Sequence, residues 1–187
     1  MTRNSPRSIA LRTFMALTPA LLVTGVAVAL VGGGRATEAS AGAMPAAAPS
    51  PACRTDDLTG TVTGRGGDSV RQAVLSLTNT ADHPCQIQGW ADVALVTPPG
   101  EVVRVPTAEV GTAGAALVLE PGATAASTLE WDTCAEGGRG CGAGVAFQFI
   151  VDADSTGAAA DVAELPEADG PGITMSALRI GPLQAQA

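Results

Sequence analysis

The stretch "RQAVLSLTNTADHPCQIQGW", Arg71 to Trp90, decides how this chain is read. Ala73, Leu75 and Leu77 fall on one side of an extended segment, and Gln72, Ser76 and Thr78 on the other. A period of two describes a half-buried β-strand. The strand runs into Asn79-Thr80, residue types whose side chains favour turns. The loop beyond holds the only histidine of the chain, His83, two residues before Cys85. In an oxidising compartment a thiol at Cys85 would be consumed, so Cys85 reads as half of a disulfide and His83 as a loop residue.

The same period continues downstream. "DVALVT" (Asp92 to Thr97) and "EVVRV" (Glu101 to Val105) flank Pro98-Pro99-Gly100, which predicts a hairpin. "AALVLEPGATAASTLEW" repeats the pattern about Pro121-Gly122, with Leu117 to Glu120 on one side and Thr124 to Trp131 on the other. "VAFQFIV" places Val145, Phe147, Phe149 and Val151 together, and "ITMSALRI" (Ile173 to Ile180) reads as a last strand. No window beyond the N-terminal region has the spacing and caps of an amphipathic helix. The sequence therefore predicts an all-β domain, an antiparallel immunoglobulin-like β-sandwich of about seven or eight strands. Its interior should be Leu58, Leu75, Leu77, Leu95, Leu117, Leu119, Leu129 and Phe147, with Trp90 and Trp131 as core aromatics.

Three segments are expected. "MTRNSPRSIALR" carries Arg3, Arg7 and Arg12, and the run from Thr13 to Gly34 has no charge. A basic flank before an apolar run is an export signal. Ala39-Ser40-Ala41 fits a signal-peptidase site, which makes residues 1–41 a signal peptide cut after Ala41. Left uncut, the same apolar helix is a membrane anchor with its arginines inside. Residues 42–52, rich in alanine and proline, lack the apolar bulk to offset ordering entropy and read as a disordered linker. The folded domain is then 53–187.

Composition excludes several functions. The net charge is −8, and the ten basic residues are all arginine. Those beyond the signal are scattered among more numerous acids, so the electrostatic footprint of nucleic-acid binding is missing. With two tryptophans, three phenylalanines and no tyrosine, there is no stacking platform for single strands either.

In order and spacing these residues resemble the exported family catalogued as the domain of unknown function numbered 4232. The likeness is carried by Cys53, then Leu77, Asn79, Thr80 and Cys85, then Gly89-Trp90. It continues in Leu119, Pro121, Gly122, Ala125, Leu129 and Trp131. It covers about Cys53 to Leu183. Ala91 stands where the family usually has proline, and Cys141 replaces a cysteine nearer the final strand. The resemblance implies a secreted β-sandwich, common in actinobacteria, with no established biochemistry.

Four cysteines in an exported domain read as two disulfides, with three possible pairings. Cys53–Cys85 with Cys134–Cys141 is favoured, because each bond then joins neighbouring segments. Structural zinc wants cysteines two to four residues apart, which these spacings do not offer.

"FIVDADSTG" imitates a phosphotransferase loop through Asp152 and Asp154, but the chain has no lysine for a phosphate clamp. Those aspartates with Asp161 are candidate Ca2+ ligands, although Ala163 stands where an EF-hand needs glutamate. The sole histidine has no Gly-x-Ser-x-Gly partner, and the glycine-rich "GGRGCGAG" lacks the Lys-Ser/Thr of a phosphate loop. The resulting expectation is a secreted, cell-envelope-associated domain that is not an enzyme and needs no cofactor or metal. Its partner would be an envelope protein or wall component, with membrane contact only through the N-terminal apolar segment. The alternative is a small-ligand or Ca2+ binding module built on the acidic loop Asp152–Asp161.

Overall fold

A computed structural model describes residues 49–66 and 70–186. The expected signal or anchor helix lies outside the described residues, as does most of the linker. Pairing begins at Pro51, whose carbonyl accepts from Gln86 N at 2.7 Å, while Cys53 N donates to Gln86 O at 2.9 Å.

Among the described residues the regular structure is fourteen strands and one short 3-10 turn, Thr55–Asp57. The first strands are β1 (Leu58–Gly66), β2 (Val70–Asn79) and β3 (Cys85–Ile87), followed by β4 (Asp92–Val96) and β5 (Val102–Val103). Then come β6 (Thr107–Glu109), β7 (Leu117–Leu119) and β8 (Thr124–Asp132), then β9 (Gly142–Gly144) and β10 (Ala146–Ile150). The chain ends with β11 (Ala158–Ala163), β12 (Ile173–Met175), β13 (Ala177–Ile180) and β14 (Gln184–Ala185). Ten of them share one sheet, ordered β5-β4-β10-β11-β1-β2-β8-β13-β6, with β14 added alongside β8. Two ribbons, β12-β9 and β3-β7, complete the fold.

The alternation in β2 does what its spacing predicts. Ala73, Leu75 and Leu77 are buried, Gln72 is exposed, and Ser76 and Thr78 are half-buried. β2 is central, pairing antiparallel with β1 (Leu75↔Val62) and with β8 (Leu77↔Ala125). One buried cluster collects the inner residues of nearly every strand, Trp131, Phe147, Phe149, Leu95 and Leu178 among them. Of the predicted interior, Leu117 and Trp90 are only partly buried.

Four expectations need correction. The strands number fourteen among the described residues and not seven or eight, because seven of them are only two or three residues long and too short to show a period of two. Pairing is not purely antiparallel: β1 runs parallel to β11 (Gly60↔Ala160), and β13 parallel to β6 (Leu178↔Thr107). A parallel neighbour needs a long crossover, and here β1 and β11 come from opposite ends of the domain. The Pro99-Gly100 turn does join paired strands, β4 and β5. The Pro121-Gly122 turn does not: β7 pairs with β3 (Leu119↔Cys85), and β8 pairs with β2. Asn79 is the reason. Its N–H donates to Ala123 O at 3.0 Å and its carbonyl accepts from Gly122 N at 2.8 Å, so the backbone after the turn bonds to the end of β2. Finally, Ile173 to Ile180 is two strands. Ser176 N donates to Asp132 O at 3.0 Å between them, where the chain passes from the β9 ribbon to the main sheet.

Candidate functional site

Both disulfides are formed as expected, Cys53–Cys85 and Cys134–Cys141. Cys85 is fully buried, whereas His83 is exposed and points its Nδ1 to Asp82 Oδ1 at 3.1 Å. That hydrogen bond, with the charge of the ring, holds the Asp82 carboxyl below its ordinary value. His83 and Cys85 therefore form no reactive pair.

The buried polar residue of the opening stretch is Asn79, and its role is architectural. It is wholly buried. Its amide donates to Leu119 O at 2.8 Å and to His83 O at 3.0 Å, and its Oδ1 accepts from Ala81 N at 3.0 Å. Every polar atom of the side chain has a partner, the condition under which a buried amide is tolerated.

Asp152 follows β10 and closes a clasp. Its Oδ2 accepts from both the N–H and the hydroxyl of Thr55, each at 2.7 Å. Thr55 is fully buried, and its hydroxyl oxygen in turn accepts from Val151 N at 3.1 Å. The two bonds from Thr55, backbone first, lower the Asp152 pKa below its ordinary 3.8. Asp154 is exposed in the same turn, and Asp161 is exposed on β11, opposite Thr61 of β1. Among the described residues no three His, Cys, Asp or Glu side chains are grouped to hold a metal ion. The structure thus does not bring the three aspartates together, and Asp152 already serves the fold.

Asp152 does, however, line a cleft of about 690 Å³. Ile150 and Ile180 lie on its apolar side, Thr107 and Glu109 come from β6, and Trp90 and Asp92 from the segment entering β4. Trp90 is tethered by its indole N–H to Val110 O at 3.2 Å. Asp92 is paired with Arg104 at 2.6 Å, both half-exposed. The cleft has the size of a small-molecule site. Its aromatic wall and three carboxylates would suit a polar ligand without negative charge. Sequence reasoning found Asp152 but placed Trp90 in the core and passed over Glu109. The pairing of Asp92 with Ile150 brings Trp90 beside Asp152, and Glu109 joins them through the pairing of β6 with β13, which no local signal marks.

Together these features define a β-rich, doubly disulfide-stapled domain with a polar surface cleft. The family model described as "Domain of unknown function (DUF4232)" matches residues 53–184, and the chain belongs to that family. No curated protein and no solved structure gives a match.

Proposed function

We propose that the domain is exported and acts outside the cytoplasm as a non-catalytic interaction or structural module of the cell envelope. Its partner in this reading is an envelope protein or wall component held through the loops. The carrying observation is the pair of closed disulfides, which use all four cysteines. Such bonds persist in oxidising compartments and staple small exported domains. The basic and apolar N-terminal run supports the same address. The immunoglobulin-like sandwich belongs to this reading too, supported by the sheet's folding over between β8 and β10.

The test is crosslinking in intact cells, then fractionation and pull-down of the tagged full chain. The reading expects the chain in the envelope or medium, oxidised, with a crosslinked envelope partner. Recovery from the cytoplasm with four reactive thiols would sink it.

A second reading is favoured by the cleft beside Asp152: a module for a small ligand. The Ca2+ form of that reading has less support, because Asp152 is engaged by Thr55 and the other two aspartates do not converge on it. Thermal melting with and without millimolar Ca2+ separates the forms; an upward shift lost in Asp154→Asn would restore the ion.

A further inference from the structure

A separate cavity of about 350 Å³, mostly apolar in lining, opens beside the Cys134–Cys141 loop. Trp131 and Ile173 form its apolar base, each about 2 % exposed. Arg71 and Glu167, ion-paired to each other at 2.5 Å, stand in its wall. Glu136 stands there too, exposed and in no ion pair among the described residues. Arg71 answers the charge of Glu167, so the charge left facing the cavity is the carboxylate of Glu136.

The backbone that carries Glu136 is also restrained. It lies inside the ring closed by Cys134 and Cys141, seven residues apart. Two turns tighten that ring: Gly138 N donates to Ala135 O at 2.9 Å, and Cys141 N to Gly138 O at 3.1 Å. Without the bond, Gly137, Gly138 and Gly140 would leave the segment wide conformational freedom. A small, mostly apolar cavity with a few polar groups in its wall is the usual form of a small-molecule site.

We propose that this cavity binds a small amphipathic cation, a molecule with an apolar ring or short chain and one amine. The apolar body packs on Pro171 and the Thr174 methyl, above the buried Trp131 and Ile173, and the ammonium donates to Glu136. A carboxylate ligand would face Glu136 and Glu167 with no unengaged base to offset them. The site is independent of the cleft beside Asp152, so either can fail alone.

Trp131 reports on occupancy directly. In Trp90→Phe it is the only tryptophan, so emission excited at its red edge reads this cavity. Titrating this variant with 2-phenylethylamine is expected to give a saturable change. The neutral 2-phenylethanol should bind about tenfold more weakly, the worth of one charge-assisted hydrogen bond, and 3-phenylpropionate should not saturate. Adding Glu136→Gln should bring the amine to the level of the alcohol. Adding Thr174→Phe, at a half-buried lining position, should abolish both while the melting temperature stays within a few degrees. Equal binding of amine and alcohol would overturn the proposal, as would unchanged binding in the Thr174→Phe protein. So would the lack of any saturable response at millimolar amine in a protein whose melting curve is intact.

Discussion

The rings of Trp131 and Phe147 meet edge to face with their centroids 6.0 Å apart, although four ladder steps separate β8 from β10 in the sheet. In a flat sheet four steps would span roughly 19 Å. The sheet therefore curls until strands distant in its order face each other across the core. Strand twist makes such curling the normal state of a wide sheet. The contact is thus a direct probe of the curl. Phe147→Ala and Trp131→Ala should each cost about 3–5 kcal/mol in urea unfolding. Phe147→Leu, Trp131→Leu and their double variant should reveal a coupling of about 0.5–1.5 kcal/mol. Strict additivity would mean the rings are not in contact.

Asn79 ties the end of β2 to β7 and to the turn at Gly122. Asn79→Ala leaves the Leu119 carbonyl without its donor in a buried site, at about 1–3 kcal/mol. Asn79→Asp should be no better, because it puts an oxygen against the Leu119 and His83 carbonyl oxygens. An Asp variant as stable as the parent near neutral pH would contradict this assignment.

The two disulfides should differ in worth. Removing Cys53–Cys85 as paired alanines should cost about 3.7 kcal/mol, and removing Cys134–Cys141 about 2.5 kcal/mol, by loop entropy. Denaturant titration of the two double variants checks the order. Intact mass after alkylation under denaturing, non-reducing conditions should show no modified thiol.

Gly60 tests the packing between β1 and β10. A Cβ there would lie 2.5 Å from the Phe149 ring and 3.2 Å from the Ala160 methyl. Gly60→Ala should therefore destabilise by about 1–3 kcal/mol through overpacking. Adding Phe149→Leu should recover part of that loss, measured by thermal or urea unfolding.

The Asp152 clasp gives a pH dependence with a definite sign. Its folded pKa is lowered below 3.8, chiefly by the Thr55 N–H and then by the Thr55 hydroxyl. The unfolded chain thus binds the proton more tightly, and the stability from the clasp is present in full above that value. It is lost as the pH falls below 3.8 and through the lower folded value. Asp152→Asn should be less stable than the parent at neutral pH, and the two melting curves should converge in acid. A constant difference across the acid range would rule out the clasp.

Much of the local structure was legible. Leu75 and Leu77 alternate with Ser76 and Thr78, and alternation alone dictates which side of a strand is buried. Cys53–Cys85 followed from adjacency and Pro99-Gly100 from turn chemistry. By contrast, β1 and β11 were not singled out. Gly60, Gly64 and the alanines of β11 give weak strand signals, and the inner face of β1 is small because Phe149 fills the space beside Gly60. The composition of such strands is set by a neighbour far along the chain.

The sequence by itself determined the most strongly alternating strands, the Pro99-Gly100 turn and the presence of two disulfides in an exported domain, because those depend on local pattern and on cysteine count. Only the tertiary structure decided that β7 pairs with β3, that β1 and β6 take parallel partners, and which side chains line the cleft and the cavity. Strand partners bond through the backbone, which is the same in every residue but proline. The partner is therefore chosen by how all the buried faces close on one another, and no single segment encodes that.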